Sequence, residues 1–353
     1  MKKFIKYTIV FAIISIVITY FGLSFLDNYV YSLTKISYLD TSNEDSAIGT
    51  KIKLEEDIES LQYTYNNKYY SYLKDSKIYI NNISNNENHD IIDEEADICY
   101  YKVLYDKNLI LYITVEEYTS TKTKLDVRTY DMDRKRKNDY DVTFYVNNFS
   151  KVKDINYSPI VNYTYLNIET KTMNSTNNTI YSIDLFNNLV KVRSNVIIDN
   201  MIMLQMKNIV YYQNDKNDIS TTYSYNSLFK SDVEMIGIDE EDYVYFLNKE
   251  TNAEVYVVKG SNRNIVDTIK LTDTDIVKTY TNNVGVYLVY PTYVVNVASD
   301  TPYEMIGRLS KYVEFEAIKD DVMYLRTKDN ILVTTRVKTE QKETAKYQST
   351  KAE

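Results

Sequence analysis

Residues 242–258, "DYVYFLNKETNAEVYVV", hold two apolar, tyrosine-bearing runs on either side of a polar stretch. Runs of Val, Ile, Tyr and Phe bounded by Asn, Lys, Glu and Thr are the signature of two strands and their turn. In the first run consecutive residues are apolar, so both faces of that strand must be covered, as in a sheet stacked between two others.

The same phrase recurs along the chain. It reads "YYSYLKDSKIYI" at 69–80, "LILYITVEEYTSTKTKLDVRTY" at 109–130 and "VNYTYLNIETKTMNSTNNTIYSIDL" at 161–185. It returns at 209–225, 284–297 and 322–337, which makes seven phrases whose starts lie 33 to 52 residues apart. A third apolar run follows most of them, at 141–146, 189–198, 232–238, 265–271 and 303–309. Three or four strands every forty-odd residues is the period of β-propeller blades, so the expected fold is all-β, a β-propeller of seven blades, with six or eight as alternatives. A β-sandwich or another all-β repeat is the competing architecture. The last unit stops after two strands at Val337. The segment "TKIKLEEDIESLQ" (50–62) resembles "IGRLSKYVEFEAI" (306–318), so an N-terminal outer strand is expected to complete the last blade and close the ring.

Outside these phrases the chain changes character. Residues 1–6 carry Lys2, Lys3 and Lys6, and residues 7–26 follow without a charge, twelve of them Ile, Val, Leu or Phe. Twenty residues at about 1.5 Å each span about 30 Å, the thickness of a bilayer's hydrocarbon core. A cleaved signal peptide would have a shorter apolar region ending in a small-x-small site. Here Gly22 and Ser24 are followed by Phe25 and Leu26. The expectation is one uncleaved transmembrane helix at 7–26 with the short N-terminus cytoplasmic, by the positive-inside rule, and the rest extracytoplasmic. A polar stalk at 27–50, the propeller at 51–337 and a disordered polar tail at 338–353 complete the division.

With those elements in place, the chain resembles membrane-anchored extracytoplasmic β-propeller proteins of clostridia and related Gram-positive bacteria. The resemblance covers residues 50–337 and is architectural. It brings no family-specific motif: the Trp-Asp ends of WD40 blades, the Gly-Gly pairs of kelch and the tryptophans of Asp-box and quinoprotein blades are all missing. No functional residue is therefore carried over.

Composition narrows the function further. A net charge of −9 and a pI near 5.0 oppose nucleic-acid binding. With one cysteine, Cys99, and one histidine, His89, an intrachain disulfide and a Cys/His zinc cluster are both out of reach. Imidazole-dependent nucleophilic catalysis would need His89, which sits in the polar "SNNENHDIID" and reads as a surface loop. Cys99, within "ADICYYKV", reads as a buried small side chain. Asp239, Glu240, Glu241 and Asp242, and the pair Asp273 and Asp275, lack the glycine and alternating carboxylates of a calcium loop and read as solvated turns. Arg134, Lys135, Arg136 and Lys137 form a basic run that would suit anionic wall polymer or lipid headgroups, but flanking aspartates favour a hydrophilic hairpin tip. The 38 tyrosines, like the Asn, Ile and Lys around them, are residues of A/T-rich codons, so clusters such as "YTYNNKYYSYL" read as packing between blades before they read as ligand platforms.

No catalytic, cofactor-binding or metal-binding residue is assigned, and no cofactor is expected. The expected function is a non-catalytic, membrane-tethered scaffold or sensor in the cell envelope, with a protein partner. The linkers around 113–124 and 168–179 are the places to look for contacts. The alternative is a wall-glycan or small-ligand binding module, and a hydrolase ranks behind both.

Overall fold

The computed structural model describes residues 49–224, 229, 232–282, 285–298, 304–309, 313–319 and 321–337. The transmembrane helix, nearly all of the stalk and the tail expected from the sequence lie outside these residues. Among the described residues no helix is long and apolar enough to cross a membrane.

The chain enters through β1 (Lys51–Lys53) and then builds seven blades in order, the last of them completed by β1. Blade 1 is β2 (Glu59–Tyr63), β3 (Tyr69–Lys74), β4 (Lys77–Asn82) and β5 (Asn88–Ile92). Blade 2 is β6 (Asp97–Val103), β7 (Leu109–Thr119), β8 (Lys122–Asp131) and β9 (Arg136–Asn147). Blade 3 is β10 (Phe149–Ser158), β11 (Tyr163–Lys171), β12 (Thr176–Ile183) and β13 (Leu189–Val196). Blade 4 has three described strands, β14 (Asn200–Met203), β15 (Val210–Gln213) and β16 (Ile219–Thr221). Blade 5 is β17 (Val233–Ile238), β18 (Tyr243–Asn248), β19 (Glu254–Lys259) and β20 (Asn264–Lys270). Blade 6 is β21 (Lys278–Thr281), β22 (Val286–Val289), β23 (Tyr293–Asn296) and β24 (Glu304–Arg308). Blade 7 is β25 (Val313–Lys319), β26 (Val322–Thr327) and β27 (Ile331–Arg336), with β1 as its fourth strand.

This is a seven-bladed β-propeller. The first strands of successive blades lie beside one another, β2 by β6, β6 by β10, β10 by β14, β14 by β17 and β17 by β21, so they form the inner wall. Side-chain amides bridge several of these inner strands. Gln62 donates to the Tyr101 carbonyl at 3.0 Å and accepts from the Val103 N–H at 2.8 Å, and Asn200 donates to the Met235 carbonyl at 2.7 Å.

All seven hairpins expected from the sequence are present, and the ring closes as expected. β1 pairs antiparallel with β27, Ile52 opposite Leu332. Gly49 and Thr50, assigned to the stalk, already bond to Thr334. The likeness of 50–62 to 306–318 has a structural reason, because each stretch runs from the outer strand of one blade to the inner strand of the next. One assignment needs correcting. The run 232–238 is not an outer strand of blade 4 but β17, the inner strand of blade 5.

The core is divided among the blade interfaces. The opening stretch shows how: Val244 and Phe246 of β18 join the apolar cluster against blade 4, while Tyr245 and Leu247 join the one against blade 6. Successive strand residues point to opposite faces, so a strand apolar at every position feeds two interfaces at once. Each of the seven interfaces holds one such cluster among the described residues.

Antiparallel alternation gives the ring two faces. The first-to-second turns of blades 1 to 5 and the third-to-fourth turns of blades 1, 2, 3 and 5 lie on one, here called the lower face, together with Gly49 and Val337. The second-to-third turns and the crossovers from blades 1, 2, 3, 5 and 7 to the next blade lie on the upper face.

Candidate interaction surface

Blades 2 and 3 outgrow the ring. Strands β7, β8 and β9 have 11, 10 and 12 residues, and β10 to β13 have 10, 9, 8 and 8, against 3 to 7 for the other strands. The residues at 113–124 are therefore not a linker. Val115 to Thr119 and Lys122 to Leu125 continue the β7–β8 ladder to a two-residue tip at Ser120 and Thr121. The stretch at 168–179 is likewise mostly strand, with a turn at 172–175.

The register explains why this projection stands up. One face of the blade 2 sheet carries Leu111, Ile113, Leu125, Val127, Val142, Phe144 and Val146, which pack against Val152, Ile155, Leu166, Ile168 and Tyr181 of blade 3. A single residue, Asn148, joins β9 to β10 in the left-handed conformation (φ 51°), which Asn tolerates better than most side chains. Its N–H donates to the Thr121 carbonyl at 2.7 Å and its carbonyl accepts from the Lys171 N–H at 2.9 Å, tying the two extensions together near their ends.

The opposite face of the blade 2 sheet packs on blade 1 through Ile98, Ile110, Tyr112 and Tyr130 and turns polar beyond them. Glu94, its side chain 5% exposed, accepts from Tyr112 (2.6 Å), Arg128 (2.8 Å) and Lys137 (2.8 Å). Burial alone would raise its pKa, but these hydrogen bonds and the charges of Lys137 and Arg128 hold it below the usual glutamate range. The ladder continues outward through Asp126, which meets Arg128, Lys124 and Thr143, and through Lys124 to Glu116. At the tip Tyr118 and Tyr145 meet edge to face with centroids 4.9 Å apart and are 60% and 44% exposed. The Lys122 ammonium sits 4.8 Å from the Tyr145 centroid. Met173, at the neighbouring blade 3 turn, is fully exposed. Exposed aromatic and thioether side chains on a paired-strand projection are suited to being covered by a partner.

Other residues singled out in the sequence have structural roles. His89 lies on β5 rather than in a loop, with its ring 4.3 Å from that of Tyr69 and Nε2 2.7 Å from the Met132 carbonyl. Cys99 is half-buried against the cluster between blades 2 and 3, and burial pushes its thiol pKa up to about 12, so it is a poor nucleophile. Asp239 caps its own turn, accepting from the Glu241 and Tyr243 N–H groups and the Tyr245 hydroxyl. Asp242, 3% exposed, accepts from the Gln205 and Met206 N–H groups of blade 4. Asp273 accepts from the Tyr293 hydroxyl at 2.8 Å and from the Asp275 N–H. Both acidic turns are thus built into the blades, and Asp239 and Asp242 are buried rather than solvated. Among the described residues no three His, Cys, Asp or Glu side chains converge as a metal site.

Four of the five tyrosines of "YTYNNKYYSYL" pack between blades. Tyr63, Tyr69, Tyr70 and Tyr72 are all buried, and Tyr63 stacks on Tyr324 with centroids 3.9 Å apart. What composition could not reveal was the tip: Tyr118 and Tyr145 are 27 positions apart and meet only through the register of β7, β8 and β9.

No protein-family model matches the chain, and no curated protein matches it. Among solved structures, Kluyveromyces lactis Hsv2 aligns over 80% of this chain and 98% of its own, at 11% identity and a TM-score of 0.46. A chain from a mitotic checkpoint complex aligns over 83% of this chain and 95% of its own, at 8% identity and a TM-score of 0.49. Likeness at this level says nothing about function, and the seven-bladed ring rests on the strand pairing described above.

Proposed function

We propose that the chain is a non-catalytic scaffold or sensor, tethered to the cell membrane by residues 7–26, that binds a protein partner in the envelope of a Gram-positive cell. The paired extension of blades 2 and 3 is its principal contact surface. The observation that carries this reading is the tip itself, where the β7–β9 sheet holds Tyr118 and Tyr145 in water and the neighbouring turn exposes Met173. Large apolar side chains maintained on a rigid projection mark interaction sites, and tyrosine offers contact area with little side-chain entropy to lose. The tip is the end of a strand pair and its two rings meet edge to face, an arrangement that suits a protein groove better than a stacked sugar.

The test is photocrosslinking of the full-length chain in the membrane of the cell that makes it. A photoreactive residue replaces Thr121 at the tip or Ile265 on β20 of blade 5. One reproducible protein captured from position 121, absent from position 265 and lost with Tyr118→Ala plus Tyr145→Ala, supports the reading. Capture that is equal from both positions, or that survives the double substitution, overturns it.

A further inference from the structure

The lower face is chemically divided. Its blade 5 turn is acidic, with Glu240 and Glu241 exposed. Across blades 2 to 4 the turns instead offer apolar tips and cations. Ile160 lies in the β10–β11 turn, Leu185 and Phe186 in the β12–β13 turn and Met206 in the β14–β15 turn, exposed by 61%, 66%, 81% and 52%. Beside them stand Arg134, Lys135 and Arg136 at the β8–β9 turn and Lys207 next to Met206, all exposed.

These turns are built, not loose. Asp184 Oδ1 accepts from the Phe186 and Asn188 N–H groups, both at 2.9 Å, and Oδ2 accepts from the Asn188 side chain at 2.9 Å. Asn187 completes the turn in the left-handed conformation at φ 62°. A turn braced in this way holds Leu185 and Phe186 out in water. The inner turns are joined as well: Ser158 Oγ donates to the Gln205 carbonyl at 2.6 Å and accepts from the Val161 N–H, so the turns bearing Ile160 and Met206 share one hydrogen-bonded seam. The Tyr105 hydroxyl of blade 2 bonds to Gln205 on the same seam.

The aspartates beside the basic run cancel only part of it. Asp133 is engaged by Lys68, Tyr69 and Asn108, while Asp131 caps the Arg134 N–H and lies 3.7 Å from Arg134 Nε, a loose pair that leaves this guanidinium exposed.

We infer that the lower face of blades 2 to 4 docks on a lipid bilayer, with Phe186, Leu185, Ile160 and Met206 entering the interface and Arg134, Arg136 and Lys207 meeting anionic headgroups. Apolar side chains flanked by cations are the combination that binds the headgroup boundary. The chain itself indicates this occupant over a protein. It reaches the propeller at Gly49, on this same face, after 48 residues that include the uncharged apolar stretch 7–26. The inference deepens the membrane-tethered reading and rests on it for that last argument. It points the extension of blades 2 and 3 away from the lipid, towards partners.

The experiment uses the full-length chain in phosphatidylcholine–phosphatidylglycerol vesicles, in a Cys99→Ser background, with Phe186→Cys or Met173→Cys carrying a fluorophore. Both positions are exposed, so the label leaves the core intact, and circular dichroism checks the fold. Flotation and an alkaline carbonate wash report the tether. Quenching by doxyl-labelled lipids reports docking. The expected result is loss of fluorescence at position 186 and none at 173, with the loss at 186 diminished in pure phosphatidylcholine. A chain that floats and resists the wash but is unquenched at 186 overturns the docking inference and leaves the tether standing. A chain quenched at 186 yet stripped by the wash keeps the docking and refutes the tether, and one that fails to float refutes both.

Discussion

The hydroxyl of Tyr324, on β26 of the last blade, donates to Oδ1 of Asn67, in the first turn of blade 1, at 2.7 Å. The bond crosses 257 positions of sequence. The ring of Tyr63 stacks on that of Tyr324, but its own buried hydroxyl has no hydrogen-bond partner among the described residues. Burial drives the Tyr63 pKa well up, so the group stays neutral.

Two deletions of a single oxygen should therefore have opposite effects. Tyr324→Phe is expected to cost about 1 kcal/mol, the usual worth of a buried hydrogen bond, and Tyr63→Phe to gain a similar amount by removing an unsatisfied group. Urea unfolding of both variants decides it. Equal losses would refute the assignment of partners.

Closure by β1 predicts a large effect from a small residue change. Ile52 is 1% exposed and packs with Leu54, Tyr324 and Leu332 where the chain's ends meet. Ile52→Ala should lose about 2–5 kcal/mol, as deep aliphatic truncations do. A loss no greater than that of an exposed substitution such as Ile265→Ala would mean that the ring does not depend on this strand.

Gly260 has little room for a side chain. A Cβ there would lie 2.6 Å from Leu204 Cδ2 and 2.9 Å from the Asp242 carbonyl oxygen. The leucine has some freedom to yield, but the backbone oxygen has less. Gly260→Ala should destabilise by about 1–3 kcal/mol through overpacking, measured as a shift in the urea midpoint. An unchanged midpoint would show that blades 4 and 5 separate at no cost.

Glu94 should carry part of the acid sensitivity. Its folded pKa lies below its unfolded one, so its contribution is fully present above the unfolded value, about 4.3, and is lost as pH falls through the folded value. Glu94→Gln is expected to lower stability at pH 7 and to make little difference near pH 2. A deficit of equal size at both pH values would point to packing and not to charge.

Tyr118→Ala and Tyr145→Ala should leave stability within about 0.5 kcal/mol of the parent, as surface changes outside a core do. Their effect should appear only in partner capture, so a drop in thermal midpoint would assign the tip a structural role.

Legibility followed what local chemistry encodes. Val, Ile and Tyr runs between Asn- and Lys-rich turns disclosed the seven hairpins, and the half-length last unit disclosed the closing strand. The run 232–238 reads as an outer strand because an outer strand and the next inner strand have the same composition, and only pairing to β18 tells them apart. The stretch 113–124 looks like a linker because Thr114, Glu116, Lys122 and Lys124 are polar. They occupy one face of a sheet whose other face carries Ile113 and Leu125 in the core. Leu185 reads as the end of the apolar phrase 161–185, and its exposure depends on a turn braced by the hydrogen bonds of Asp184. Contacts of this kind belong to register and turn geometry, which leave little trace in composition.

The pairing of β1 with β27 also sets a clock. Among the described strands, the one synthesised first finds its partner only after the one synthesised last has been made, so Ile52 and Leu54 wait through the synthesis of the other blades without their final neighbours. Joining ends so far apart carries a loop-closure cost that earlier, local blade contacts do not share, which makes sealing the natural last step of folding. A chain broken off before Ile331 would stack most of its blades and still leave the seam gaping, with apolar side chains bared where quality control could find them.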